Sequence, residues 1–253
     1  PGPDVDHAPK LLGVTGTLYV VALLLWGTRI HSRLRPIPRL GWDDHIITLG
    51  IMVALIGWGF FIVSIAHGVG RHNFYVDPTD QAIAQHWLFA SQVPWAIAMM
   101  LTKISIACML LRIKRSKAWL AFLYAMIAIQ IASGIASIVF QLLQCIPLRA
   151  LWDPSVSGAR CTKAESAYAS IYANAAISII TDLIFALLPI TFIRKMQRPL
   201  RDKIVLSALM GLGIFATITS IVKLTLVKHY GSTGDSLWDT VDLSMWSVLE
   251  EQV

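Results

Sequence analysis

The chain has 253 residues, of which 56% are hydrophobic and only 14% charged, and its mean hydropathy is +0.64. No single soluble core of this length buries that much apolar surface, so composition predicts an all-α, polytopic membrane protein whose first partner is the lipid bilayer. The formal net charge of +6 would suggest an anionic partner for a soluble chain; here basic loops on one membrane face account for it, which argues against nucleic-acid binding.

The opening Pro/Asp/His segment has neither a charged n-region nor a cleavage site, so the first apolar run, about 11–26, is expected to be a retained helix with Gly13 and Gly16 as close-approach points. Arg29, Arg33, Arg35 and Arg39 follow it. Trp42-Asp43-Asp44 then reads as the cap of a second span over about 46–66, because a carboxylate at a helix start accepts orphan N–H bonds and suits the positive dipole end. A wet loop from His67 through Asp80 leads to a third span, about 87–113, which Pro94 is expected to kink. Lys103 is the charge inside that apolar run, and Arg112, Lys114, Arg115 and Lys117 form its basic stop. The fourth span, about 118–143, carries Ala132, Ser133, Ala136 and Ser137 at a spacing that suits close helix packing. A long loop holding Cys145, Trp152, Asp153, Pro154 and Cys161 precedes the fifth span, about 167–192, which ends in Arg194, Lys195 and Arg198. Asp202 reads as the cap of a sixth span over about 204–227. A seventh apolar run starts at Val241 and is cut by the end of the sequence, so residues 1–253 read as a single seven-helix transmembrane domain.

Orientation follows from the basic residues. The loops after the first, third and fifth spans hold thirteen Lys and Arg, against six in the N-terminal segment and the other loops, which predicts a non-cytoplasmic N-terminus and receptor-like topology. Cys145 and Cys161 then share a loop on the oxidising side, where a disulfide is expected, whereas Cys108 lies near the cytoplasmic end of its helix and reads as a free, packed thiol.

Several stretches taken together resemble the fungal rhodopsin-domain family of integral membrane proteins. They are Leu40-Gly-Trp-Asp-Asp44, Gly68-Val-Gly-Arg-His72, Leu101-Thr-Lys-Ile-Ser105, Gln144-Cys-Ile-Pro147, Trp152-Asp153, Cys161, Asp182 with Leu188-Pro189, and Trp246 with Glu250. The resemblance covers nearly the whole chain and implies a fungal seven-helix protein; some members are receptor-like surface sensors and others sit among secondary-metabolite genes. The family name does not itself bring retinal: no lysine stands in the visible part of the seventh span, the part beyond Val253 leaves the point open, and no cofactor is expected.

The chemistry must lie in polar groups within the membrane. Ser170, Asn174, Ser178 and Asp182 recur every fourth residue on the fifth helix, a row that drifts only about 40° per step. Counted from the basic stops, the depths of Asp182 and Lys103 differ by about 5 Å, so an ion pair between them is reachable. Lys223 sits near the outer end of the sixth helix above Thr219 and Ser220, with Asp239, Asp242 and Glu250 as candidate partners. The expected site is a cavity between helices three, five, six and seven, floored by Lys103 and Asp182 and walled by His86, Trp95, Asn174, Lys223 and Glu250. Tyr168, Tyr172, Trp87 and Gln92 could extend it, although Trp and Tyr also form interfacial belts, and intramembrane ion pairs also serve simply to hold helices in register. His67, His72 and His86 share no helix face at ligand spacing, so no metal is expected, and there is no phosphate loop, nucleophile elbow or Cys/His cluster.

Two functions fit. One is a receptor-like protein that takes a small or lipophilic ligand through Lys103, Asn174, Lys223, Trp95, Tyr172 and Ser178. The other is a cofactor-independent intramembrane cyclase or isomerase that uses Asp182, Glu250 or His86 as acid or base on a lipophilic secondary-metabolite intermediate. A receptor implies a cytoplasmic signalling partner, for which the short inner loops offer no evident surface.

Overall fold

The computed structural model describes residues 6–35, 40–112, 116–153, 156, 158–193, 200–229 and 235–252. The basic residues Arg39, Lys114, Arg115, Arg194, Lys195 and Arg198, together with Pro154, lie outside them.

Seven α-helices are present among the described residues: α1 (Ala8–Leu34), α2 (Trp42–Ala66), α3 (Pro78–Leu111), α4 (Lys117–Leu143), α5 (Ala164–Ile193), α6 (Leu200–His229) and α7 (Ser236–Gln252). Two-residue strands β1 (Cys145–Ile146) and β2 (Arg160–Cys161) pair antiparallel in the loop between α4 and α5. Six helices are long and apolar enough to cross a membrane, which fits an integral, multi-pass protein. The seventh, α7, has 17 described residues, and at 1.5 Å per residue that is about 26 Å, short of a ~30 Å hydrocarbon core.

The helices begin earlier than their apolar runs. α3 starts at Pro78 rather than near residue 87, with Pro in the first turn, where its missing N–H costs nothing, and with Gln81 N–H donating to Asp77 O at 2.9 Å. Its polar first turns hide the start from any hydropathy reading. α6 likewise begins at Leu200, so Asp202 stands inside its first turn rather than before it, and α7 begins five residues ahead of Val241.

Leu24 and Leu25 are each 65% exposed, which in a bilayer is the favourable side for leucine. Inside, α2 lies along α3, α5 along α6, and α7 returns to α1, closing the bundle. Close approach rests on small residues. A Cβ at Gly57 would lie 3.1 Å from the Cβ of Pro94, and α3 runs through that proline without interruption. A Cβ at Gly213 on α6 would meet the Cβ of Ala186 at 2.7 Å. The expected contact points divide: a Cβ at Gly16 would lie 3.7 Å from Trp58 and Ser133 reaches Asn174, but nothing lies within 4 Å of a Cβ at Gly13, and on α4 Ala132 and Ala136 are exposed while Gly134 faces Met100.

Charged groups fasten both ends of the bundle. At one end Asp43 and Asp44, each 1% exposed, receive Arg29 at 2.9 and 3.0 Å, and Asp43 also receives Arg112 at 2.9 Å. Ser105 Oγ donates to the Asp43 carbonyl at 2.8 Å, so α1, α2 and α3 share one knot. Asp44 Oδ2 accepts the Gly41 N–H at 3.1 Å, the capping role expected of it. At the other end Asp235, just before α7, accepts the Asn73 N–H and His72 Nδ1–H, both at 3.1 Å. The Trp238 ring lies between those of His7 and His72, at 4.4 and 4.0 Å. The N-terminal segment, the α2–α3 loop and the start of α7 therefore gather on one face, opposite the arginine knot.

Candidate functional site

A chamber of about 610 Å³ opens inside the bundle on the Trp238 side. Residues from all seven helices line it, so it is wider than a cleft between α3, α5, α6 and α7. The α4–α5 loop covers it. Cys145 and Cys161 form a disulfide that pins the loop at both strands, and Leu151 and Trp152 from within the loop reach the lining. Trp152 packs on Phe89 at 5.8 Å between ring centroids and on His86 at 4.7 Å.

The predicted stripe on α5 divides by depth. Asn174 lines the chamber and accepts the Ser133 hydroxyl at 3.3 Å, while Ser178 lines it one turn deeper. Asp182 lies beneath, 2.9 Å from Lys103 Nζ. That ammonium also donates to Ser178 Oγ at 2.8 Å and to Thr181 Oγ1 at 3.2 Å, so each of its three protons has an acceptor. Lys103 and Asp182 line a separate cavity of about 90 Å³ and not the chamber itself. The pair is thus a layer under the chamber rather than its floor.

Of the three acids considered for Lys223, the structure selects Glu250: the carboxylate binds both Lys223 Nζ and the Ser220 hydroxyl. Asp242 is exposed. Lys223 Nζ also sits 4.6 Å from the ring centroid of Trp95, whose indole N–H donates to Ser247 O at 3.3 Å. Lys223, Trp95 and Glu250 all line the chamber, and Glu250 reaches the lower cavity as well.

The predicted wall residue His86 and the predicted extensions Trp87 and Tyr172 lie outside the lining. His86 is exposed and packs at a tilt against Trp87 and Trp152, because its position on α3 faces the loop rather than the interior. Tyr172 is 41% exposed and outside the lining, about 160° around α5 from Asn174. Among the described residues no three His, Cys, Asp or Glu side chains converge as metal ligands.

The chamber also uses residues that pattern reading passed over. Tyr19 on α1 is 5% exposed; its O–H lies 3.0 Å from Glu251 Oε2, and its ring stacks on Trp58 of α2 at 4.9 Å. Glu251 lines both cavities. Its signal was present in the sequence, as the second acid of a Glu-Glu pair after an apolar run, but period alone does not assign two adjacent helix residues to one interior.

Fold and site together define a multi-pass membrane protein with a largely apolar chamber, set with a few polar and charged groups, among its helices. Residues 28–253 match the fungal rhodopsin domain family, and the chain belongs to that family. It is similar to a SAT4 family membrane protein of Emericella nidulans, with 30% identity over 78% of this chain and 52% of that protein. It is similar also to the Fugralins biosynthesis cluster protein 2 of Gibberella zeae, with 26% identity over 71% of this chain and 45% of that one. The Wortmanamides biosynthesis cluster protein C of Talaromyces wortmannii is 24% identical over 88% of this chain and 63% of its own length. The chain therefore spans about half to under two thirds of the curated relatives it matches. No solved structure matches it.

Proposed function

We propose that the chamber binds a small lipophilic molecule and that the protein acts in a receptor-like manner. The observation that carries this reading is the chamber itself. Its volume of about 610 Å³ lies within the ~300–1,000 Å³ range of small-molecule sites. Apolar walls such as Leu88, Phe89 and Ile171 would hold a lipophilic body, while Gln92, Asn174 and Ser244 supply the few convergent polar groups that orient it. The N-terminus is proposed to be non-cytoplasmic, with α7 as the seventh span; the thirteen-to-six distribution of Lys and Arg and the bridged α4–α5 loop both support that orientation.

A second reading is an intramembrane enzyme, a cyclase or isomerase working by acid–base chemistry with Glu250 or Asp182. The names of two relatives, both biosynthesis cluster proteins, favour it. One experiment tests the chamber and separates the two. The protein is taken from its native membranes into nanodiscs, and the molecules it retains are identified by mass spectrometry, beside a Ser244→Trp variant that fills the chamber. The reading expects a retained small molecule that the variant loses; equal retention in both would overturn it. Return of the isolated molecule unchanged after incubation with the protein supports binding alone, and its steady conversion to an isomer supports the enzyme.

A further inference from the structure

With its carboxyls ionised, the chamber's charges do not balance. Among the described residues that line the two cavities the acids are Asp182, Glu250 and Glu251, and the bases are Lys103 and Lys223. Two of the acids have a lysine: Asp182 meets Lys103 through Oδ1, its Oδ2 being buried with no donor among the described residues, and Glu250 meets Lys223 and Ser220; Glu251 alone has no lysine. Glu251 has only the Tyr19 hydroxyl on Oε2, while its Oε1 is buried and meets no hydrogen-bond donor among the described residues. A buried carboxylate oxygen without a partner is costly, so this one calls for a donor.

The surroundings indicate which donor. Beside Glu251 stand the stacked rings of Tyr19 and Trp58, both in the chamber lining. Aromatic rings next to a carboxylate are the chemistry that recognises an ammonium group, through cation–π attraction and a charge-assisted hydrogen bond. The same chamber already shows this recognition with a side chain, where Lys223 lies over Trp95 and on Glu250. A neutral hydroxyl could donate to Oε1 but would leave the excess negative charge uncompensated, and an anion would add to it.

We propose that the α1–α2–α7 end of the chamber is a subsite for a cation, and that the ligand is a lipophilic molecule carrying a protonated amine held by Glu251 beside the stacked rings of Tyr19 and Trp58. This rests on the chamber being a small-molecule site. Three isosteric probes test it: dehydroabietylamine, dehydroabietinol and dehydroabietic acid, which share one tricyclic body and differ in carrying an ammonium, a hydroxyl or a carboxylate. Binding is read by equilibrium dialysis against the protein in nanodiscs of zwitterionic lipid, with empty nanodiscs subtracted for partition into the bilayer. The amine should bind at least about tenfold more tightly than the alcohol, with the acid weakest. Glu251→Gln should bring the amine down to the level of the alcohol, the amine losing far more than the alcohol does. Should that variant not fold, the ranking in the unaltered protein decides, and Trp58→Leu should weaken the amine more than the alcohol. An alcohol that binds as well as the amine overturns the cation subsite while leaving the chamber as a site. An amine preference that survives Glu251→Gln overturns it too, and no probe binding beyond empty nanodiscs overturns both the subsite and the chamber reading.

Discussion

Lys103 shows what a charge inside a membrane helix requires. Its ammonium has three protons and finds four oxygens, on Asp182, Thr181 and both the hydroxyl and the carbonyl of Ser178, all from α5, so its charge is neutralised and every donor is used. Removing one partner strands the other in a low-dielectric layer, whereas removing both leaves an apolar contact between α3 and α5. Lys103→Met or Asp182→Leu alone should therefore cost about 3–5 kcal/mol of stability, and the double variant clearly less than the sum. Thermal or steric-trap unfolding of the four proteins in one detergent reads this coupling, and additive losses would show that the pair carries none. Part of this was legible in the sequence. Depth counted from the basic stops brings Asp182 to Lys103, and the four-residue period brings Ser178 along. Thr181 stands at i+3 from Ser178, on a neighbouring part of the same face, but the strict four-residue row passed over it. Asp43 was read as a cap alone; that it also anchors Arg29 and Arg112 depends on how three helix ends converge, which no local pattern encodes.

At the scale of elements, the apolar runs located the helices and the polar ends misled. α3 and α7 begin in segments that read as loop because Thr79, Asp80 and Asp239 are polar, yet a Pro start in one case and the Asp235 start in the other sustain the turns. Packing faces were harder still. Lipid tails are as apolar as leucine, so helices associate through close contact and polar groups rather than by hiding apolar surface, and small residues matter only where a neighbour happens to lie. Ala132 and Ala136 have the right spacing and face outward; Gly213 has an unremarkable context and touches Ala186. The α5–α6 crossing provides a specific test. A Cβ at Gly213 would sit 2.7 Å from the Ala186 Cβ but 3.3 Å from its Cα, so the clash is chiefly methyl against methyl. Gly213→Ala should lower the melting temperature by several degrees, in line with about 1–3 kcal/mol of overpacking, and adding Ala186→Gly should restore most of it. Failure of the second change to rescue the first would mean that the two helices do not meet there.

At the scale of the whole molecule, two polar assemblies define its ends. One joins His7, His72, Asp235 and Trp238 above the chamber; the other joins Arg29, Asp43, Asp44, Ser105 and Arg112 below the Lys103 layer. With the N-terminal segment, the α2–α3 loop and the start of α7 on one face, α1 to α6 alternate in direction, and only the identity of each face remains to be assigned. Basic loops resist translocation, and the knot's arginines stand at the ends of α1 and α3, so the proposed orientation sets the knot in the cytoplasm and the chamber and its disulfide-pinned cover on the opposite side. Single cysteines at Ser116, between α3 and α4, and at Thr162, just after β2, report on this directly in a Cys108→Ala background that keeps the Cys145–Cys161 bridge. Thr162 is exposed, so a membrane-impermeant maleimide should label T162C on intact cells without further treatment. S116C should react only after permeabilisation. The reverse pattern would turn the molecule over and put the chamber's mouth toward the cytoplasm. Labelling of both from outside would contradict the alternation of α4 itself, since the two positions lie at its opposite ends.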